Sequence, residues 1–574
     1  MKLFKNILSW FRDERHLFYL FLAVLTLPNL LLSITEPMSM SARIANVLFP
    51  AGCYWLLLTL MRNCGKMVWL MFPLTFFAAF QIVLLYLYGR SVIAVDMLLN
   101  VVTTNAGEAM ELLDNLAPVI ALVVVLYVPP LIMATSAILR RAKLSRQFIT
   151  RNRRIGAATL GAGCIALATA YISTPGYTVA DDLYPVNVGY NLHLAIDRTK
   201  RLDHYAETSA GFTYGATTAD ADTVPRIIVL VVGETSRACN WGILGYGRDT
   251  NPYLSHADGL AAFGNALSQS NTTHKSVPML LSSITAENYD DIYAHRGIIT
   301  AFKEAGYATT FLSTQGRNGS FIDFFGCEAD NHRFLREELG SDCISVVDND
   351  LLPAVKRAID STGGKRLIVL HTYGSHFDYT ERYDGQTPHF TPDRPVKAEP
   401  KHRDNLINSY DNTIRYTDQF LAKLIIMLEA GGKEAAMVYT SDHGEDIYDD
   451  DRQLFLHASP VPSYYQLHVP FLVWMSSAYR TAHPASWEAT CGNIPRTVAS
   501  SVSFFHTALD LACIQSTVLD RSKSVASHIY TEAPLLYLDD HNEAVPLPDM
   551  LGTQDMTRLA DLGIIINDPQ MAQR

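Results

Sequence analysis

AAMVYTSDHGED, Ala435 to Asp446, is the stretch whose reading decides the fold. An apolar run from Ala435 to Thr440 stops abruptly at Ser441, Asp442, His443, Gly444, Glu445 and Asp446. Apolar residues bounded by a turn signal suit a core strand of a parallel sheet. In such sheets the working groups gather beyond the carboxyl ends of the strands. Asp442 and His443 would leave the strand tip together, a hard oxygen beside a borderline nitrogen, as a zinc-type ion prefers. A capped turn with a surface histidine would read the same way, so the rest of the chain has to decide.

The chain has 574 residues, 49% of them hydrophobic, and a formal net charge of -11. Its length allows about three domains. The mean hydropathy of +0.09 is too high for a wholly soluble protein and too low for a wholly membrane-embedded one. The apolar excess lies before about Thr174. The acidic balance argues against a nucleic-acid role, which needs a basic patch. Five runs approach the ~20 apolar residues that cross a bilayer: Leu17–Ile34, Ala45–Met61, Met67–Tyr88, Leu116–Leu139 and Ile155–Ile172. The first is long and lacks a small-residue cleavage site, so it reads as a span and not as a signal. Basic residues flank one side: Lys2, Lys5, Arg12 and Arg15; then Arg62 and Lys66; then a cluster from Arg140 to Arg154. Basic loops stay in the cytoplasm, so five crossings place everything after Ser173 outside.

On that outer side, VDMLLNVVTTNAGEAMELLDN (Val95–Asn115) has apolar positions at helical spacing. It fits an amphipathic segment resting on the membrane or an ordinary interhelical loop. Asp181 to Tyr205 reads as a surface helix, and Glu207 to Val224 as a small-residue linker. The expected domains are therefore 1–173 (membrane), 174–224 (membrane-proximal helix and linker) and 225–574 (soluble, catalytic).

From Pro225, strand-like runs (Arg226–Val232, Tyr307–Ser313, Arg366–His371, Ala435–Thr440, Pro470–Met475) alternate with helical ones (Ile298–Ala305, Leu351–Asp360, Tyr410–Glu429, Phe504–Ile514). That order predicts an α/β domain with a mostly parallel central sheet covered on both faces. Several strand ends deliver polar groups: Glu234 after IIVLVVG, His376 after His371-Thr-Tyr-Gly-Ser, and later His457 and His468. Single histidines are usually structural, but several at strand ends beside an Asp-His pair and a Glu suggest a metal site. In QSNTTHKSVPMLLSS, Thr272 and Thr273 precede a run that can open a helix. A hydroxyl there sits in a field that favours an oxyanion and incoming phosphate, and metal coordination would activate it further. Alone, this stretch reads better with Thr273 as a helix cap.

VVGETSR, TTHKSVP, GSH, SYDNTIRYTD, SDHGED and HVPFLVW follow five spans in one order. With them the chain resembles the phosphoethanolamine transferases of Gram-negative inner membranes, in the alkaline-phosphatase and sulfatase superfamily. The resemblance covers nearly the whole chain, including the outer Val95–Asn115 segment. It implies Thr273 as nucleophile, and Glu234, Thr273, Asp442 and His443 as ligands of a tetrahedral Zn2+. His376 and His457 match histidines that hold a second zinc or the phosphoryl group, with His468, Lys275 and Asn412 as further candidates for that region. His274 and Lys275 replace small apolar residues often found after the nucleophile, and the flanking Gly and Cys of several relatives are absent. These departures bear on acceptor specificity. The implied reaction is a two-step displacement: Thr273 captures phosphoethanolamine from phosphatidylethanolamine, diacylglycerol leaves, and an acceptor receives the group. Lipid A or another envelope glycan is the implied acceptor, the soluble domain is periplasmic, and the protein is expected to be a monomer.

An oxidising periplasm permits disulfides. Cys327 with Cys343, and Cys491 with Cys513, are the expected pairs, leaving Cys239 over; spacing does not prove connectivity. A lipoteichoic-acid-synthase-like enzyme would share the chemistry but move glycerol phosphate. A sulfatase would need Cys or Ser in a C/S-x-P-x-R setting, which Thr273 lacks. A phosphodiesterase and an inactive membrane sensor are the remaining alternatives, the latter opposed by the presence of every ligand.

Overall fold

The computed structural model describes residues 10, 12–89, 91–103, 116–218, 224–338, 346–361, 364–383 and 387–564. The chain divides into two compact units, one of residues 1–101 and 112–197 and the other of residues 102–111 and 198–574.

In the first unit, α1 (Glu14–Thr35), α2 (Met40–Leu58), α6 (Ala117–Leu139) and α7 (Arg146–Ser173) are each long and apolar enough to cross a membrane. The expected Met67–Tyr88 span is instead α3 (Cys64–Leu70) and α4 (Phe72–Tyr88), bent by 62° at Met71. Counting that bent pair as one span gives five. Pro73, in the first turn of α4, has no N–H for the preceding turn and its ring crowds the carbonyl behind it, which breaks the helix there. α7 begins nine residues before the expected Ile155, inside the basic segment, because Ser145 caps it by accepting from the Phe148 N–H at 3.1 Å. α2 and α7 approach backbone to backbone: a Cβ at Gly52 would lie 2.6 Å from Leu160, and one at Gly163 2.6 Å from Phe49. Small residues at such a crossing let two membrane helices close up. Of the outer segment, Val95–Thr103 is helical (α5) and residues 104–115 lie outside the described set. Val186–Asp203 forms α8, within the span read as a surface helix.

The second unit is built on a seven-stranded sheet. Its strands are β1 (Arg226–Gly233), β2 (Leu260–Phe263), β3 (Ala308–Ser313), β4 (Asn331–Phe334), β5 (Arg366–His371), β6 (Glu434–Ser441) and β7 (Phe471–Met475), in the order β2-β7-β6-β1-β5-β3-β4. Only β7 runs against its neighbours. Every residue of β1 is buried. Ile228, Leu230 and Val232 join one apolar cluster, and Ile227, Val229 and Val231 the other. A strand buried on both faces reads as a continuous apolar run, as this one does.

The first cluster is closed by α9 (Thr273–Leu280), α10 (Ile298–Glu304) and α13 (Ser500–Leu511). The second is closed by α11 (Leu352–Asp360) and α12 (Arg403–Ala430). α12 starts seven residues before the expected Tyr410. Residue 343 lies outside the described set, so the Cys327–Cys343 pairing does too. The expected Cys491–Cys513 pair does not form. Cys491 is exposed on the helix Pro484–Asn493, whereas Cys513 follows α13, and no disulfide joins them.

Candidate functional site

The carboxyl ends of β1, β5 and β6 lie side by side, since β1 pairs in parallel with both neighbours. Glu234 follows β1 and Asp442 follows β6; the Asp442 N–H donates to the Gly233 carbonyl at 3.0 Å. Two glycines let the backbone close in. A Cβ at Gly444 would lie 2.3 Å from the Tyr465 carbonyl oxygen, and Gly374 (φ +52°) presses against the Glu234 backbone, where a Cβ would meet its oxygen at 2.6 Å. α9 brings Thr273 to the same place. Its cap is Thr272, so Thr273 is the first helical residue and not the cap.

Four of the predicted residues converge. Thr273 Oγ1 is 3.2 and 3.4 Å from the two Glu234 oxygens and 3.1 Å from His443 Nε2. His443 Nε2 is in turn 3.5 Å from Glu234 Oε1 and 3.3 Å from Asp442 Oδ2. Ligands about 2.0–2.2 Å from a tetrahedral zinc stand about 3.3–3.6 Å from one another, so these separations fit such an ion. Glu234, Asp442 and His443 form a buried floor; Thr273, His376 and His457 are half-buried around it. The His457 ring lies 4.2 Å from that of His443 and 6.0 Å from that of His376. Glu234, His443 and His457 also offer ligand atoms all within 4.8 Å of one another.

Charge supports the same reading. Burial first, and then the charge of Asp442, push the Glu234 carboxyl up to about 8. Burial pushes Asp442 up to about 7 against the N–H groups of Thr235 and His443 that it accepts. Burial holds His443 well below its ordinary value. Among the described residues neither carboxylate has a Lys or Arg partner. Two buried acids without a fixed cation are costly, and a divalent ion bound to them removes that cost.

Three predicted residues are placed elsewhere. His468 is buried with both ring nitrogens engaged, Nδ1 with the Tyr464 hydroxyl at 2.8 Å and Nε2 with the Gly264 carbonyl at 2.7 Å. Asn412 spends its amide on the backbone of His389 and Phe390 at 2.9–3.0 Å. The buried Lys275 donates to the Asp539 carbonyl at 2.6 Å. Other residues enter that sequence reasoning missed. Gln315 bridges Glu234 Oε2 (3.3 Å) and the Thr372 carbonyl (2.9 Å). Glu445, fully buried, accepts from the Tyr379 hydroxyl and places Oε2 3.5 Å from His457 Nδ1. Asp348 takes the N–H groups of Tyr373 and Gly374 at 2.8 and 3.1 Å, fixing the loop that leads to His376. Gln315 and Glu445 each carry a sequence signal, as polar residues a few positions past a strand, but that signal assigns neither a role.

The sequence profile of the family described as Sulfatase matches residues 226–514, half of the chain. The chain belongs to the sulfatase family. Among curated proteins, this sulfatase-family chain is 31% identical over 303 residues to "Phosphoethanolamine transferase EptA" of Salmonella typhimurium, covering 51% of the chain and 54% of the relative. It is 29% identical over 332 residues to "Kdo(2)-lipid A phosphoethanolamine 7''-transferase" of Escherichia coli, covering 55% and 57%. The chain thus spans about half the length of the curated relatives it matches. Its fold matches the integral membrane lipooligosaccharide phosphoethanolamine transferase A of Neisseria meningitidis with a TM-score of 0.68 at 22% identity, over 88% of this chain and 98% of that one. It also matches the periplasmic domain of Escherichia coli EptC in complex with Zn, with a TM-score of 0.52 at 24% identity, over 59% and 97%. Membrane helices followed by a sulfatase-like α/β unit are therefore the architecture of this family member.

Proposed function

We propose that the protein is a phosphoethanolamine transferase of a bacterial inner membrane, with its α/β unit in the periplasm. It takes phosphoethanolamine from phosphatidylethanolamine, releases diacylglycerol, and passes the group to lipid A or another envelope glycolipid or glycan. The names of the curated relatives support the group transferred. The observation that carries the reading is Thr273 Oγ1, half-buried in the first turn of α9 and 3.1–3.4 Å from Glu234 and His443.

Glu234, Thr273, Asp442 and His443 would hold a zinc ion, and His376 and His457 would hold a second ion or the phosphoryl group. When bound, zinc lowers the pKa of a coordinated hydroxyl and offsets phosphoryl charge. The chain supplies the rest. Thr273 Oγ1 donates to Glu234 Oε1, which marks the path by which its proton leaves. Oγ1 then forms the bond to phosphorus, and the phosphorus–oxygen bond to diacylglycerol breaks, that oxygen taking a proton. In the second step an acceptor oxygen attacks the same phosphorus, giving up its proton if it is a hydroxyl, and the bond to Thr273 breaks with Oγ1 regaining a proton. Gln315 and Thr235 fix Glu234 by donating to Oε2 and Oε1. Phosphoryl transfer asks mainly for such positioning and charge neutralisation. Incubating the full chain with phosphatidylethanolamine and mapping the adduct by mass spectrometry tests the reading; a wild-type chain that forms no adduct contradicts it.

A further inference from the structure

The floor of the site is acidic: Glu234, Asp442 and Glu445 are all at most 1% exposed. A zinc ion held by Glu234 and Asp442 would offset their charge and face part of a substrate's phosphate, so the phosphate oxygens turned away from it need a cation outside the floor. The carboxyl ends of β3, β4 and β5, adjacent and parallel, form one rim of the site. β3 runs into Gln315, which touches Glu234. β5 runs into Tyr373, Gly374 and His376. β4 runs directly into the single turn Leu335–Glu338, which carries Arg336.

Arginines on this rim are treated unequally. Arg333 pairs with Glu338, and Arg317 lies 3.6 Å from Glu337. Arg382 spends itself on the carbonyls of His376 and Phe377 at 2.9 and 3.1 Å, with its guanidinium 4.0 Å from the centre of the Tyr373 ring. Arg336, followed in sequence by two glutamates that pair with other arginines, has no carboxylate partner among the described residues. Its Nη1 donates instead to the neutral Tyr373 hydroxyl at 3.1 Å. It is half-buried, and its stem passes 3.9 Å from the space beside Gly316, the residue after Gln315. Tyr373 is itself rigid, with its N–H on Asp348 and its ring 5.5 Å from that of His376. The guanidinium is thus held beside the 372–376 loop that leads to His376, by a neutral partner and with no carboxylate among the described residues to offset its charge.

We infer that Arg336 is a phosphate-binding subsite of this protein, taking non-bridging phosphate oxygens of a substrate through paired N–H donors. This rests on the transferase reading proposed above. Guanidinium is the side chain suited to that task, because its planar fork matches two phosphate oxygens at once. The phosphate belongs to the donor lipid or to a phosphorylated acceptor, two sources with one chemistry.

The test uses the full chain in nanodiscs, as wild type, Arg336→Gln and Arg336→Lys. Titration calorimetry with phosphoethanolamine reads binding without turnover. Arg336→Gln should bind at least 10-fold more weakly, and Arg336→Lys should recover part of the loss. Equal affinity in wild type and Arg336→Gln overturns the subsite, whether or not the chain is a transferase. Kinetics then separate the sources. A KM raised for phosphatidylethanolamine in adduct formation, with acceptor KM unchanged, assigns the donor phosphate; the reverse assigns the acceptor's. A fall in kcat with both KM values and phosphoethanolamine affinity unchanged marks Arg336 as structural and overturns the inference. Absence of any adduct in wild type, with the affinity difference present, refutes the transferase reading and leaves the anion site standing.

Discussion

Gly374→Ala tests how tightly the site depends on backbone contact. A Cβ at 374 would lie 2.6 Å from the Glu234 carbonyl oxygen and 2.8 Å from its nitrogen, some 0.8 Å short of the 3.4 Å at which ordinary contact begins. Both atoms are backbone, so neither can rotate away. The loop from Thr372 to His376 or the end of β1 has to shift by much of that distance, which separates His376 from Glu234. The residue also sits at φ +52°, where an alanine costs about 1–2 kcal/mol. Misplacement approaching 1 Å at a reacting centre costs about 100-fold in rate. Gly432→Ala is the control: φ is +61° there too, yet a Cβ would meet nothing within 4 Å. Both variants should lose similar stability from the backbone term, read as melting temperature of the full chain in detergent. Only Gly374→Ala should lose about two orders of magnitude in adduct formation on Thr273, together with bound zinc. Equal activity in the two variants would refute the argument that the 372–376 loop holds Glu234 in place by contact.

Three further outcomes are expected. Chelation should lower the melting temperature of the wild-type chain, and added zinc should restore it by mass action; Asp442→Asn should abolish both effects, checked by elemental analysis. Burial lowers His468 and His506 to about 4, below their unfolded value near 6.5, so both are neutral in the fold. Their stabilisation is full above pH 6.5 and is lost as pH falls toward 4, about 2 kcal/mol each by pH 5. His506→Gln should remove its share of that slope in denaturation measured from pH 7 to pH 5. Thr273→Ala should keep zinc largely in place while forming no adduct, since it removes one hydroxyl and leaves Glu234, Asp442 and His443 intact.

What the sequence revealed follows from where each interaction closes. β1 and β6 are continuous apolar runs that end on Glu234 and Asp442, so strand and site residue are announced together. β5 was legible to the residue for the same reason. β4, Asn331–Phe334, has only one buried residue and β2 spans four, so neither carries a period to read. The antiparallel direction of β7 leaves no mark in its composition. Histidine and asparagine were harder because a local motif does not say where a polar atom is used. His468 meets Gly264 across 204 residues and Asn412 meets the 389–390 backbone, so these polar atoms are engaged away from the Glu234, Thr273 and His443 cluster. Gln315 and Glu445 escaped for the complementary reason: their partners, Glu234 and Tyr379, lie 81 and 66 residues away. The bend at Met71 was hidden because hydropathy continues unbroken through Pro73.

Capture of a lipid headgroup by one hydroxyl is the central step, and peptide mapping of the full chain after exposure to phosphatidylethanolamine tests it most directly. Phosphoethanolamine on Thr273, discharged when a glycolipid acceptor is added, is the predicted result. Transfer to the acceptor with Thr273 unmodified throughout, or undiminished in Thr273→Ala, would contradict it.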